Sequence, residues 1–458
     1  MVSNHLKLGR RAEPPSRRPR HSRRALLAAA ARLGGAGALP LLVLACGQQP
    51  APQAGTTSAQ PVTLAWFAKL KGIAQEDIDA FVRGFVATRP NVTIDLTAIQ
   101  QTAEGKEKLA TYQASGTPVD VVSTVIGIPD LRRMKAAYAL NDLIKRDKFD
   151  TTQFTANTYR EVEIKGKILA LPHAYAGNEL ALVVNKTLFA KAGLPLPSAD
   201  WKASWTWEQF REAMKHLTSL NGPPPVAGTS RFGTIYDLPP MWGAQWASDD
   251  GATITCDSPA MIEAFTSYYD MITKDRSATF SPGAPDFGKG EPFYRGQSAC
   301  FTICCAVPTT TAQIKDVDWA FVPFPKAKLA VPDMGGADSA IWAPIKHPAE
   351  AWAFVRYAVE EGRLANLEQR MPSQKRAIVP YVQQNYGQRP EVRPEVFAAT
   401  PDYVAKPDPL FQTPASDEAD SLITTTFKGI TAGTQTVRAA LTALKPQLQA
   451  LLDQYRDV

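Results

Sequence analysis

The sequence predicts an α/β fold, because segments typical of strands and of amphipathic helices alternate after the N-terminal region. The strand-like segments are Val62–Phe67, Val92–Ala98, Val119–Val125, Ile168–Pro172 and Leu180–Asn185. Between the first three, Glu76–Thr88 and Gly105–Ser115 have the apolar spacing of helices that pack one face on a sheet. This order predicts mostly parallel strands flanked by helices.

Helix starts later in the chain are marked by capping residues. Thr206 and Gln209 have the spacing of a capping box, so the neighbouring Trp205 and Trp207 are interpreted as structural. Ser258 followed by proline starts another helix. A stripe of Val and Leu from residue 437 to 452 predicts a C-terminal helix.

The first 45 residues have the order of an export signal. Basic residues come first and an apolar run follows, interrupted by Arg32 and several glycines, which is too weak for a permanent membrane span. Within it, SRRALL (22–27) resembles a twin-arginine signal. We therefore expect residues 1–45 to be a signal peptide and the protein to be exported.

Cys46 is the expected attachment point of a lipid. VLACG (43–47) resembles a bacterial lipobox, in which the small Ala45 precedes the modified cysteine, although Leu44 is bulkier than usual. The alternative is a chance cysteine. Residues 46–60 are then the lipidated cysteine and a flexible tether rich in Gly, Pro, Ser and Thr. The protein would be anchored on the extracytoplasmic face of the membrane rather than span it.

The charge distribution excludes nucleic-acid binding as the main function. The net charge is +6, but residues 1–45 contain nine Lys and Arg residues against one acidic residue. The rest of the chain has 41 basic and 43 acidic residues. No basic excess remains there to neutralise phosphates.

Motifs for catalysis or cofactor binding are missing from the sequence. After residue 45, histidine occurs only at His173, His216 and His347, and neither G-x-S-x-G nor H-E-x-x-H occurs. The glycine-containing segment 283–290 lacks the Ser or Thr of a phosphate loop. Residues 249–251 are not followed by the series of oxygen-bearing side chains that is typical of a calcium-binding loop. We expect no cofactor, no metal and no catalytic residue. A carboxylate pair for glycoside hydrolysis stays open, because sequence spacing does not give spatial distance.

Four cysteines follow the proposed lipobox, and their pairing is left open: Cys256, Cys300, Cys304 and Cys305. An exported protein can oxidise them, but a twin-arginine substrate folds before export. Apolar neighbours favour small buried core residues.

Three tryptophans are candidates for stacking on a sugar. Trp66 ends the first predicted strand, where α/β folds bind ligands, and Trp242 and Trp246 are spaced i, i+4 in MWGAQW. Indole faces fit the C–H face of a sugar while nearby polar groups bind its hydroxyls. The alternative is that all three are core residues.

A series of ordered segments resembles a known family. These segments are EGKEKLATYQASGTPVDVV (104–122), LNDLI (140–144), GKILALPHAYAGNELALVVNKTLFAKAGLPLP (166–197), WTWEQFREAMKHLT (205–218), GQSACFTI (296–303), DWAFVPFP (318–325), GGADSAIWAPIKHPAEAWAFVRYAVEE (335–361) and MPSQKRA (371–377). Together they are similar to the ABC-transporter extracellular solute-binding proteins of family 1, the maltose-binding-like carbohydrate group.

The resemblance implies a two-lobed, type II periplasmic-binding-protein-like fold with a multi-strand hinge. We expect residues 61–172 plus 306–340 in the N-terminal lobe and residues 173–305 plus 341–458 in the C-terminal lobe. The chain would cross between lobes near His173, return near Cys305 and cross again near Ser339–Pro344.

The resemblance also selects site residues in the cleft between the lobes. These are Ser123, Thr124, His173, Tyr175, Asn178, Gly335, Gly336, Asp338 and, more weakly, Arg376. Many relatives have a stacking tryptophan in a Gly-Pro-Trp segment where this chain has Cys304-Cys305-Ala306. That departure shifts the expected stacking to Trp66, Trp242 and Trp246.

The resemblance therefore implies a monomeric receptor for a sugar or another small polar solute. The receptor closes on the solute and passes it to the transmembrane subunits of an ABC permease. A binder of a polyol phosphate, polyamine or peptide on the same fold is the alternative, and an extracellular hydrolase is a third interpretation.

Overall fold

Strands from distant parts of the chain pair into two mixed β-sheets in the computed structural model. The structure describes residues 60–175, 181–219, 226–231, 236–278, 292–303, 307–329 and 335–456, all within one compact unit, Ser58–Val458. Its strands are β1 (Val62–Lys69), β2 (Val92–Ile99), β3 (Val121–Ser123), β4 (Glu163–Ile164), β5 (Lys167–Ile168), β6 (Leu171–Tyr175), β7 (Ala181–Asn185), β8 (Ala227–Arg231), β9 (Ser298–Ile303), β10 (Trp319–Val322) and β11 (Gly336–Ile341).

Helices cover both sheets. They are α1 (Gln75–Thr88), α2 (Thr102–Ser115), α3 (Ile128–Arg133), α4 (Asn141–Asp147), α5 (Ala156–Val162), α6 (Lys186–Lys191), α7 (Trp207–Leu217), α8 (Leu238–Met241), α9 (Pro259–Thr273), α10 (Val307–Thr311), α11 (Pro348–Val359), α12 (Arg363–Leu367), α13 (Lys375–Tyr386), α14 (Pro394–Ala399), α15 (Ser416–Thr431) and α16 (Val437–Gln454).

The first sheet has the order β2-β1-β3-β11-β6. β1 pairs in parallel with β2 and β3, as the strand–helix alternation predicts. β11 runs antiparallel to both β3 and β6, because it enters from the other lobe and not through a helical crossover on the same sheet. In this sheet, the expectation of mostly parallel strands therefore holds for β1 to β3.

The second sheet has the order β10-β7-β9-β8 and is also mixed. β7 is antiparallel to β9 and β10, while β8 and β9 are parallel. β7 and β9 are fully buried along their length, which fits their continuous apolar sequences. The predicted capping residues are confirmed: Thr206 and Gln209 form a capping box on α7, and the Ser258 hydroxyl caps α9.

Two separate apolar cores define two lobes. The N-terminal lobe comprises residues 60–175 and 335–367, and its core includes Trp66, Phe85 and Trp352. The C-terminal lobe comprises residues 181–329 and 371–456 as far as they are described, and its core includes Trp246 and Trp319. In each lobe, the core fills the space between one sheet and the helices that cover it. Each lobe therefore buries apolar surface of its own.

The division between lobes differs from the predicted one in two places. β10 pairs with β7, and Lys328 and Leu329 still bond to Met241, so the chain returns to the N-terminal lobe after residue 329 and not near Cys305. α11 packs its apolar face into the first core, so the last crossing lies between Leu367 and Met371 and not near Ser339–Pro344. Strand pairing and helix packing over long sequence distances decided both boundaries. The first crossing follows β6, close to His173.

Two other features bear on the sequence analysis. Cys256 and Cys300 are buried free thiols, whereas Cys46, Cys304 and Cys305 lie outside the described residues. Every helix in the described part of the chain is too short or too polar to cross a bilayer.

Candidate functional site

A cavity of about 260 Å³ lies between the two lobes. The N-terminal lobe lines it with the loop before α3, with Glu161 on α5 and with the start of β11. The C-terminal lobe lines it with α8 and the residues after it, and with the loop before α15. We call this space the aromatic compartment, after Tyr236, Trp246 and Phe411 in its wall.

A second cavity of about 290 Å³ adjoins the first. Gly127, Pro129, Gly336 and Asp338 line both spaces, so the two belong to one cleft. Thr124 lies in the wall of the second cavity. We call it the ionic compartment, because Lys106, Asp130 and Asp417 surround it.

The ionic compartment is bridged by ion pairs between the lobes. Lys106 and Arg133 of the N-terminal lobe both contact Asp417 at the start of α15, and Arg133 also contacts Glu418 at 3.2 Å. Although burial alone would raise the pKa of Asp417, Lys106 and Arg133 hold it below its usual value. Each such partly exposed pair contributes ~0–1 kcal/mol, so together they favour the lobe arrangement modestly.

The aromatic compartment has an apolar wall formed by rings of the C-terminal lobe. The rings of Tyr236 and Phe411 meet edge to face with centroids 4.6 Å apart, and Trp246 contacts Phe411 at 6.5 Å. Phe411 is half-buried, so part of its ring faces the cavity. The Tyr236 hydroxyl donates a hydrogen bond to Asp420, which fixes that ring. Flat faces in a cleft are suited to the C–H face of a sugar.

Asp408 fixes the loop that carries Phe411. Its carboxylate accepts hydrogen bonds from the backbone N–H groups of Trp246 and Leu410, at 2.6 and 3.0 Å. Burial raises the pKa of Asp408 to about 6, although the donated N–H groups oppose that shift. Asp408 therefore joins the loop before α15 to the Trp246 segment and so shapes the aromatic wall.

Because Gly336 has no side chain, the carboxylates of Glu161 and Asp338 can both come close to it in the wall formed by the N-terminal lobe. A methyl group at this position would lie 2.7 Å from Glu161 Oε2 and 3.2 Å from Asp338 Oδ1, which is too close. The Gly336 N–H instead donates a hydrogen bond to Glu161. A side chain at this position would require the Glu161 carboxylate to move away from the Gly336 N–H.

Asp338 is the buried acid of the cleft. The residue is 8% exposed, and its Oδ1 has no hydrogen-bond partner among the described residues. Burial raises the pKa of Asp338 to about 7. The Nε2 of Gln245, across the same compartment, also has no partner among the described residues. Both groups are available to a polar ligand, since a buried polar atom without a partner is costly.

Five of the residues selected from the sequence line the cleft. They are Thr124, Trp246, Gly335, Gly336 and Asp338, although the Trp246 ring is only 1% exposed and packs on Phe265 and Phe427 in the second core. Thr124 has a positive φ of 61°, which is rare for a β-branched residue, and its N–H donates to the Asp338 carbonyl at 3.1 Å. The strained turn after β3 thus joins directly to the strand that carries Asp338. Whether these five contact a ligand stays a prediction.

His173 lies beneath the cleft in a fully buried polar cluster. Its Nδ1 is 3.1 Å from Ser339 Oγ, and its Nε2 is 3.3 Å from Glu368 Oε2. Glu368 also accepts a hydrogen bond from Thr124 and pairs with Arg370 at the last lobe crossing. Burial would raise the pKa of Glu368, but these partners hold it below its usual value. The contacts of His173 join β6, β11 and this crossing, which indicates a positioning role at the hinge.

Trp66 is placed in the core of the N-terminal lobe and does not line the cleft. It is 1% exposed, its ring contacts Phe81 and Phe354, and its Nε1 donates to Ser123 Oγ at 3.1 Å. Ser123 is buried and also bonded to Ser339. Trp66 and Ser123 lie on the face of β1 and β3 that packs against α1 and α11, and this face is turned away from the cleft.

Three further candidates also lie away from the two cavities. Tyr175 is buried, and its hydroxyl donates to Thr155. Trp242 packs edge to face on Trp207 at 4.8 Å in the second core. Arg376 is exposed on α13 and lines neither cavity. Asn178 and Cys46 lie outside the described residues.

The sequence analysis did not select several polar and aromatic residues that line the aromatic compartment. The residues not selected are Glu161, Tyr236, Gln245, Asp408 and Phe411. Gln245 lies inside MWGAQW, and Asp408 and Phe411 lie in the proline-rich segment 389–414, which has no helical or strand periodicity. An acid and an aromatic residue in a proline-rich loop could have been a signal, because such loops often carry binding residues. In the part of the chain described, no group of three side chains is arranged to hold a metal ion.

Comparison with known families identifies the chain. The pattern of the bacterial extracellular solute-binding proteins matches residues 63–362, and this match covers more than half of the sequence. The chain belongs to this family. It is thus an exported solute-binding protein. No curated protein sequence matches it.

Solved structures share the fold of this solute-binding protein at low sequence identity. An ABC substrate-binding protein from Listeria monocytogenes in complex with cycloalternan has a TM-score of 0.70 at 19% identity, covering 86% of this chain and 100% of its own. UgpB from Mycobacterium tuberculosis in complex with glycerophosphocholine has a TM-score of 0.70 at 20% identity, covering 86% and 99%. The sugar-binding protein MalE from Xanthomonas citri has a TM-score of 0.69 at 16% identity, covering 86% and 98%.

Proposed function

We propose that this solute-binding protein is a receptor for a sugar or oligosaccharide, which it delivers to an ABC import permease. The observation that carries the proposal is the composition of the aromatic compartment. The half-buried ring of Phe411, the carboxylate of Asp338 and the amide of Gln245 line this one compartment, while the Trp246 ring is 1% exposed and supports Phe411 from the core. A sugar needs flat apolar faces and hydrogen-bonding groups in the same cleft.

Closure of the lobes is the proposed mechanism. A solute in the cleft touches both lobes, so its contacts are complete only when the lobes are together, and binding shifts the population to the closed form. The Lys106, Arg133 and Asp417 contacts also exist only when the lobes are together. The closed form would then dock, as a monomer, on the permease.

A non-sugar solute is the weaker candidate. The structural relative with glycerophosphocholine has a solute that carries a phosphate. A phosphate requires unpaired cations in the cleft. Lys406, the lysine of the aromatic compartment, is already paired with Asp249.

A ligand screen tests the proposal. In a thermal-shift screen against sugars, polyamines, glycerol phosphodiesters and metal ions, we expect only sugars to raise the melting temperature, as mass action requires. Phe411→Ala should then reduce affinity for the best sugar by about 1–2 kcal/mol, measured by calorimetry. Phe149→Ala is the matched control, because Phe149 is also a half-buried phenylalanine but lies outside the cleft.

Two results would count against this function. Stabilisation by a non-sugar solute alone would support the alternative. Equal affinity losses in Phe411→Ala and Phe149→Ala would mean that the loss comes from the fold and not from the aromatic compartment.

We further propose that Cys46 carries a lipid that tethers the exported protein to the membrane, after a twin-arginine-type signal has directed its export. The support is the lipobox-like VLACG and the SRRALL segment. Cys46→Ser should release the protein from the membrane fraction or leave it unprocessed, as measured by fractionation and mass. Cys256→Ser is the control, because that thiol is buried in the fold. An unchanged membrane fraction and unchanged processing in Cys46→Ser would refute the anchor.

A further inference from the structure

One loop of the C-terminal lobe carries both an aromatic ring of the cleft and an acidic end. We call residues 408–418 the platform loop, because it holds the half-buried ring of Phe411 in the aromatic compartment and ends at Asp417 in the first turn of α15. Leu410 within this loop and Ala419 after it are buried in the second core. The platform loop is therefore fixed to the C-terminal lobe.

The N-terminal lobe also holds this loop, through α3 and the end of α5. The Nη1 of Arg132 donates a hydrogen bond to the Gln412 carbonyl at 2.6 Å, and Gln412 Nε2 donates to the Arg160 carbonyl at 3.1 Å. Leu131 anchors α3 in the first core. The residue after Phe411 is thus held from the opposite lobe, so these contacts require the lobes to be together.

Three ion pairs cross between the lobes at the end of the platform loop. Asp417 Oδ2 lies 2.5 Å from Lys106 Nζ and 3.2 Å from Arg133 Nη2, and Arg133 Nη1 lies 3.2 Å from Glu418 Oε1. The four side chains are 29–49% exposed, so dissolved ions can reach them. Salt reduces the range of such interactions, from about 30 Å at 10 mM to about 3 Å at 1 M. The attraction between the lobes should therefore weaken as the ionic strength rises.

We propose that the platform loop and its ion pairs form an interlobe latch, which closes the cleft and positions Phe411 before a solute binds. Lys106, Arg133, Asp417 and Glu418 are positioning residues in this latch, because they hold the two lobes together. The apparent affinity for a solute scales with the fraction of protein that is already in the binding-competent form. Even an uncharged solute should then bind more weakly at high salt. This effect on affinity rests on the proposed function, whereas the latch itself does not.

X-ray scattering in solution tests the latch without any solute. The radius of gyration of the parent protein should be smaller at about 10 mM NaCl than at about 1 M NaCl, because screened ion pairs leave the lobes apart more often. Asp417→Asn removes two of the three ion pairs and should give the larger radius at both salt concentrations. Glu418→Gln removes one ion pair and should give an intermediate radius at low salt.

Asp318→Asn is the matched control for the scattering experiment. It removes the same charge from an ion pair, at 2.8 Å, with Lys186 of the same lobe. We expect this variant to follow the parent at both salt concentrations. Urea denaturation of each variant checks that a larger radius does not come from unfolding.

Calorimetry with glucose, maltose and maltotriose measures the effect on affinity, because these probes carry no charge. An uncharged probe should bind the parent about 3- to 10-fold more weakly at about 1 M NaCl than at about 10 mM. At low salt, Asp417→Asn should bind the probe about 3- to 10-fold more weakly than the parent, and at high salt the two should agree within about 2-fold.

The outcomes separate the latch from the proposed function. A radius of gyration that is the same at both salt concentrations in the parent would overturn the latch. An affinity loss in Asp417→Asn that is equal at low and high salt would also overturn it, because Asp417 would then act as a direct contact of the solute. If none of the probes binds, the scattering result still decides the latch, and only the sugar receptor loses its support.

Discussion

Trp66→Ala should lower the free energy of unfolding by about 3–5 kcal/mol, because it removes a fully buried indole from the core of the N-terminal lobe. The side chain contacts Phe81 and Phe354 at centroid distances of 5.5 and 5.0 Å, and its N–H bonds to Ser123. Its loss leaves a cavity lined by rings that cannot collapse fully. Urea denaturation of the purified protein measures this effect.

The affinity of the folded fraction separates the two roles considered for Trp66. In Trp66→Ala, we expect solute affinity to fall only in proportion to the fraction of protein that is unfolded. Trp66→Phe should recover most of the stability, because it keeps the ring contacts. A normal denaturation midpoint combined with lost affinity would instead make Trp66 a ligand contact.

Asp338→Asn should stabilise the protein near pH 8 by on the order of 2–4 kcal/mol and have little effect near pH 4. The pKa of Asp338 is about 7 in the folded protein, against an ordinary value of 3.8. The folded state therefore binds more protons than the unfolded state between these values. Stability from the protonated acid is complete below about pH 4 and is lost as the pH rises through 7.

Denaturation curves from about pH 4 to 8 measure the difference between variant and parent. Asp318→Asn, an exposed acid, should follow the parent at every pH. Asp408 should also make the protein less stable as the pH rises, but by a smaller amount, because its pKa is raised only to about 6. This part of the pH dependence should remain in Asp338→Asn. Parallel curves for parent and Asp338→Asn would show that the burial of Asp338 has no energetic consequence.

Taken together, the two roles of Asp338 oppose each other. The same burial that makes its ionised form unfavourable for stability leaves a carboxylate oxygen without a hydrogen-bond partner among the residues that the structure describes. Binding residues commonly reduce stability in this way, because their polar groups are matched to a ligand and not to the protein. A variant that is more stable but binds less tightly is the expected combination.

The sequence by itself determined the local elements and the family. Apolar periodicity located β1, α1 and β2, and the Thr206–Gln209 pair located the start of α7, because these signals act over a few residues. The order of segments along the chain identified the solute-binding family that residues 63–362 match. It also selected the glycine pair and Asp338 at the start of β11, which line the cleft.

Only the tertiary structure decided which aromatic residues are core and which lobe each late segment joins. Trp66 and Trp246 are each 1% exposed, so both rings are core residues. β1 directs Trp66 onto α1 and α11, and Trp246 packs on Phe265, Phe427 and Phe411, of which Phe411 is half-buried and lines the cleft. β10 changed lobes relative to the prediction because its partner, β7, is more than a hundred residues away in sequence. α11 changed lobes because Phe354 packs on Trp66 and Phe85 of the first core. Likewise, Asp408 and Phe411 belong to the cleft only because a loop without periodicity folds against the Trp246 segment. Contacts of this kind depend on where separate elements meet in space, which no local pattern records.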